Sequence, residues 1–107
     1  MRGLIMSLFL FFVSNSVFSD ATETGQVTKI IVEGSIVSVW LNGIDVTTDC
    51  SGGSRWTVVN TDTLFKEKYA AILAAATSKQ PISLFHLAAH GCGNWTSNKI
   101  YLVGIDY

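Results

Sequence analysis

His86, His90 and Cys92 stand in the pattern H-x-x-x-H-x-C, the nearest approach to a metal-ligand cluster in the sequence. On a strand, positions 86, 88, 90 and 92 share one face, so both imidazoles would point the same way. A zinc site takes four protein ligands, or three and a water. Cys92 would then have to leave any disulfide, stranding Cys50, so the expectation is no metal and no other cofactor. Nucleophilic catalysis needs a nucleophile, a base and an orienting group. Ser83 or Ser97 with His86 or His90 and Asp106 supplies the residue types but no motif: G-x-S-x-G, H-E-x-x-H and a phosphate-binding glycine loop are all missing. Glycoside chemistry would need two acids across a cleft, yet Glu33, Asp45, Asp49, Asp62 and Glu67 fall at strand ends, turns and a helix start. The sequence reads as that of a non-enzyme. A small metal-dependent enzyme working through the histidines is the reading it disfavours.

The tryptophans carry more. Aromatic faces stack on sugar C–H surfaces and form the centres of protein interfaces. Trp95 lies in the turn-like segment Asn94-Trp95-Thr96-Ser97-Asn98, whose amides and hydroxyls suit sugar hydroxyls. Trp40 shares its strand face with Ser38, and Trp56 follows Arg55 at the start of a strand. Trp95, Asn94, Trp56, Arg55 and Trp40 are therefore the candidate ligand-binding residues. The plainer reading makes Trp56 a cover for the disulfide and Trp40 a cover for one end of the fold. Asn94-Trp95-Thr96 is also a glycosylation sequon, which acts only in a eukaryotic host. Lys66, Lys68 and Lys79 lie on or beside a helix rather than along one strand face. With a net charge of −1, the chain has no basic excess to displace phosphate counterions, so no nucleic-acid partner is expected.

With 107 residues, 49% apolar and 14% charged, the chain is one small domain, neither disordered nor proline-rich. Arg2 is the only charge before Asp20, Leu4–Val13 is apolar except for Ser7, and small residues follow at Val17 and Ser19. This is the layout of a secretory signal peptide over residues 1–19, cut before Asp20 or, alternatively, after Ala21. The apolar run is too short to span a bilayer as a helix, so the mature chain carries no membrane span. Removing the leader takes away only Arg2 and leaves 88 residues with a net charge of −2. A domain that small is close to the stability limit and needs a staple. Cys50 and Cys92 are the only cysteines, and export implies an oxidising compartment, secreted or periplasmic, where they form a disulfide. Closing that loop contributes about 4 kcal/mol.

Residues 20–26 read as a polar, flexible N-terminus, followed by a single domain over 27–107. Val27–Glu33 and Ile36–Leu41 are β-branched runs joined by Gly34-Ser35, a hairpin with Val37, Val39 and Leu41 on one face. Asn42-Gly43 is a second turn, and Ile44–Thr48 continues as a short return strand. Arg55–Val59 is the third main strand. Apolar residues at Leu64 or Phe65, Tyr69, Ile72, Leu73 and Ala76 then recur at helical spacing from Asp62 to Ser78, with Asp62 or Thr61 as cap, Lys79 at the carboxyl end and Pro81 beyond. Ile82–Ala88 is the fourth strand, Gly91–Asn94 a turn, and Lys99–Ile105 the last strand.

This order, β-β-β-α-β-β, is that of the OB-fold, a five-stranded Greek-key barrel that is mainly β with one helix. The alternative is an open antiparallel sheet with one packed helix. Cys50, Ser54-Arg55-Trp56, the alanine-rich helix and Gly91-Cys92 resemble, over Val27–Tyr107, small secreted bacterial OB-fold proteins. These are similar in plan to the receptor-binding B subunits of subtilase-cytotoxin and pertussis-type toxins. The resemblance implies an OB-like fold, a shared disulfide, and glycan binding as a homo-oligomeric ring; no sugar-contacting residue is carried over. The expected function is a secreted, non-catalytic binding domain for a glycan or protein surface. The runner-up is a periplasmic assembly or inhibitor protein that binds another protein.

Overall fold

The computed structural model describes residues 20–43 and 50–105. The leader, the return strand at 44–48, Asp45, Asp49 and Asp106 lie outside the described residues. Within them are seven strands, one α-helix and two sheets. One sheet has the order β1(Ala21–Gly25), β5(Ile82–His86), β7(Leu102–Gly104), antiparallel throughout. The other has the order β2(Val27–Glu33), β3(Ile36–Leu41), β4(Trp56–Val59), β6(Asn98–Lys99). Two of its pairings are antiparallel, but β4 and β6 run parallel, so a single open antiparallel sheet is not the architecture.

Alternation in β3 and β4 builds the core. Val37, Val39, Leu41, Trp56 and Val58 are buried on one face and meet Ile82 and Leu84 of β5 and Ile72 and Ala75 of the helix α1(Phe65–Ser78). Phe65 and Tyr69 pack against this cluster. Leu64 and Leu73, placed on the buried stripe by their spacing, are instead exposed, and Ala75 takes the inner position. A small residue there lets the helix lie close to the strands.

The N-terminus is a correction to the expected flexible lead-in. Ala21–Gly25 is a strand paired along its length with Ile82–His86, and Asp20 Oδ1 accepts the Ala88 N–H at 2.9 Å. Its inward residue is Glu23, 2% exposed, whose Oε1 accepts the Trp56 indole N–H at 2.8 Å. A polar strand is held here because its one buried polar group meets a buried donor.

The helix also starts differently. Asp62 does not cap it: Asp62 Oδ2 accepts the Val59 N–H, closing the preceding turn, and the N-cap is Leu64 in left-handed conformation with no side-chain cap. At the other end Lys79 is itself the left-handed C-cap, its N–H and that of Gln80 reaching Ala76 O and Ala75 O in a Schellman pattern. The fourth strand stops at His86 and gives way to a 3₁₀ turn, Ala88–His90. The expected last strand is two pieces, because Ile100 turns into the core between β6 and β7 while the chain changes neighbour from β4 to β5. No described helix is long and apolar enough to cross a membrane.

Candidate functional site

The disulfide is present: Cys50 and Cys92 have Cα atoms 5.5 Å apart, and Cys50 is buried. It joins the segment before β4 to the segment after β5 and is compatible with an extracellular or periplasmic location. Around it, two loops are fastened together. Gly52 N–H donates to Thr96 O at 2.8 Å, Ser51 Oγ to Thr96 Oγ1 at 3.1 Å, and Asn98 Nδ2 to Gly53 O at 3.0 Å. A Cβ on Gly52 would sit 2.6 Å from Thr96 O and 2.7 Å from Trp95 O, so only glycine permits this approach. Gly93 is equally confined, its hypothetical Cβ 2.6 Å from Thr57 Oγ1.

These fastenings hold Trp95 and Thr96 in consecutive left-handed conformations, φ 59° and 50°. Non-glycine residues there cost of order 1 kcal/mol each and persist where the surroundings over-determine them. The result is an indole that is 46% exposed and carried on a braced turn. One side of it is covered: the Arg55 guanidinium carbon lies 3.9 Å from the ring centroid. The same guanidinium is 5.0 Å from the Trp40 centroid, and its Nε donates to Ser38 Oγ at 3.1 Å. Lys29 Nζ lies 4.7 Å from the Trp40 centroid. Lys29 and Trp40 are cross-strand partners, and Arg55 immediately precedes the β4 residue paired with Val39. Lys29, Trp40, Arg55 and Trp95 thus form a cation–aromatic ladder on the outer face of the second sheet.

Of the expected site residues, the structure brings Trp40, Arg55 and Trp95 to this surface, while Asn94, next to Trp95 in the chain, lines a separate cleft with Thr61, Asp62 and Lys99. Trp56 is withdrawn from the surface: it is wholly buried, with its indole N–H on Glu23, and no ligand reaches it without unfolding. Lys29 and Ser38 were missed. The signal available was strand register, since residues opposite Trp40 and beside it on the same face must meet it.

The histidines do not share a strand face. His86 is buried, its Nδ1–H donating to Lys99 O at 3.3 Å and its Nε2 3.8 Å from Cys50 Sγ. His90 is exposed in the 3₁₀ turn, edge-on to Tyr101. Among the described residues no three His, Cys, Asp or Glu side chains come together as metal ligands. Ser83 Oγ is hydrogen-bonded to Thr24 Oγ1, and Ser97 Oγ to Thr57 Oγ1 in the interior. Glu33 and Glu67 are exposed and apart. Lys68 Nζ donates to Ile100 O at 3.3 Å, while Lys66 points to solvent on the helix and Lys79 caps it.

Comparison with family models, with curated proteins and with solved structures finds no significant match.

Proposed function

We propose that the protein is a secreted or periplasmic, non-catalytic binding domain, an OB-type barrel similar in plan to toxin B subunits, that recognises a glycan or a protein surface. The observation that carries the binding reading is the braced, half-exposed indole of Trp95, stacked on Arg55 and continued by Trp40 and Lys29. A large apolar ring held at the surface by strained backbone has no role in the core, and such rings are typical anchors of ligand contact. The barrel reading is supported by the pairing. Only Gln26 separates β1 from β2, and only Ile100-Tyr101 separates β6 from β7. If each pair is one bent strand, the hydrogen-bonded neighbours run as a circuit of five, with the third and fifth strands parallel.

A glycan array probed with the mature chain, beside Trp95→Ala, tests the reading. Binding by the parent and loss in the variant is the expected result; no binding by either removes the glycan reading. A protein partner is favoured by a different observation, the exposed apolar side chains of Leu64, Tyr101 and Leu102. That reading expects a pull-down to recover one partner in stoichiometric amount.

A further inference from the structure

The strand β2 is the outermost of the second sheet: β3 pairs with one of its edges, and among the described residues no strand pairs with the other. Its sequence is VTKIIVE, and Thr28, Lys29, Ile31, Val32 and Glu33 are all exposed. Ile31 is 37% and Val32 58% accessible. An edge that bares apolar β-branched side chains beside unpaired backbone N–H and C=O groups is a template for one more strand. Folds blunt such edges with a proline, an inward charge or a bulge. Here the strand has no proline, and its one irregularity, between Val27 and Lys29, lies at its beginning and leaves Lys29–Glu33 regular.

The charges on this edge have an order. Alternation places Lys29, Ile31 and Glu33 on the outer face, opposite Trp40, Ser38 and Ile36 of β3, and Lys29 is seen there over the Trp40 ring. The ammonium stands two residues before Ile31 and the carboxylate two residues after it. Antiparallel pairing of this strand with a copy of itself, centred on Ile31, sets Lys29 of each copy opposite Glu33 of the other. The same register sets Ile31 against Ile31 and Ile30 against Val32. Sliding it by two residues in either direction puts Ile31 opposite a charged group. Parallel pairing in register puts Lys29 against Lys29 and Glu33 against Glu33. One arrangement alone is complementary.

We infer that β2 is the contact of a reversible two-fold dimer, in which the second sheets of two copies join edge to edge through Lys29–Glu33. The contact uses the same patch on both copies, so it closes at two and does not propagate. It therefore differs from the ring that the resemblance to toxin subunits implies. An edge contact of this length falls below the roughly 1,200 Å² of a standard interface, so the dimer is weak and depends on concentration. The two-fold axis stands perpendicular to the joined sheets, and both outer faces look the same way. The dimer thus presents two sets of Trp40, Arg55 and Trp95 to one surface, and a ligand displayed repeatedly there is held by both. The inference goes beyond the binding reading above and does not depend on what the ladder binds.

The test is sedimentation of the mature, oxidised chain from about 10 µM to about 1 mM, a range that resolves weak association. The expected result is a monomer–dimer equilibrium that weakens as salt is added. Lys29→Glu and Glu33→Lys each set like charges opposite one another at both ends of the contact, and each should weaken self-association about tenfold. Mixed in equal amounts, the two variants should pair with each other about as tightly as the parent chain does, since every charge then meets its opposite. The double variant Lys29→Glu with Glu33→Lys should self-associate like the parent. Both positions are exposed, so each variant should keep the parent's cooperative thermal transition by circular dichroism, and rescue on mixing cannot come from unfolded chains. A chain that is monomeric at every concentration overturns the dimer and leaves the edge to a foreign strand. So does an assembly, dimer or larger ring, that is indifferent to both single substitutions, or a mixture that associates no better than either variant alone.

Discussion

Trp56 and Trp95 show how one residue type does two jobs according to where backbone register leaves it. Trp56 alternates inward with Val58, and its N–H is committed to Glu23 across the core. Trp56→Phe leaves that buried carboxylate oxygen short of its donor and is expected to destabilise by about 2–4 kcal/mol in urea unfolding. Trp95→Ala removes only a surface ring and its stacking on Arg55, and should cost no more than about 1 kcal/mol in the same measurement. Residue type alone flagged all three tryptophans; which one was inside depended on strand phase. Phase was legible for Val37, Val39 and Leu41, because the one polar residue of the run, Ser38, marks the opposite face. It was hidden at Glu23, where the inward residue is the charged one and the hydrophobic alternation is inverted.

Elements with strong periodicity were readable at their true limits: β2 and β3 with the Gly34-Ser35 turn, and the helix end at Ser78. Elements defined by partners were not. The strand β1 has the sequence ATETG and exists through its ladder with β5. The break between β6 and β7 reflects a change of neighbour rather than any breaker residue. The 50–54 and 94–96 loops were readable only as loops, although their close approach builds the candidate site. Gly52→Ala places a methyl against two backbone carbonyls that cannot swing away, and is expected to cost about 1–3 kcal/mol and to shift the Trp95 indole resonance. Gly53→Ala is strained by its φ of 73° but meets open space; it should cost about 1 kcal/mol and leave that resonance in place. Reduction of the disulfide, read by urea unfolding with and without reductant, should remove about 4 kcal/mol for a separation of 42 residues.

At the scale of the molecule, the sheets and the helix share one apolar cluster, so no element is expected to melt alone. Deleting residues 20–25 strips β5 of a partner and Trp56 of its acceptor, and the truncated chain should lose its cooperative thermal transition by circular dichroism. The mainly β make-up with one helix between β4 and β5 was legible from sequence; the strand β1, the break between β6 and β7 and the division into two hydrogen-bonded sheets were not, since they turn on where strands bend and which neighbours they meet. The ladder between β1 and β5 has one more implication, for synthesis. Its first member leaves the ribosome well before its second, which emerges only after the helix is complete. Contacts between residues far apart in the sequence form late and slowly. The nascent chain must therefore hold β1 without its partner until the helix and β5 have both emerged.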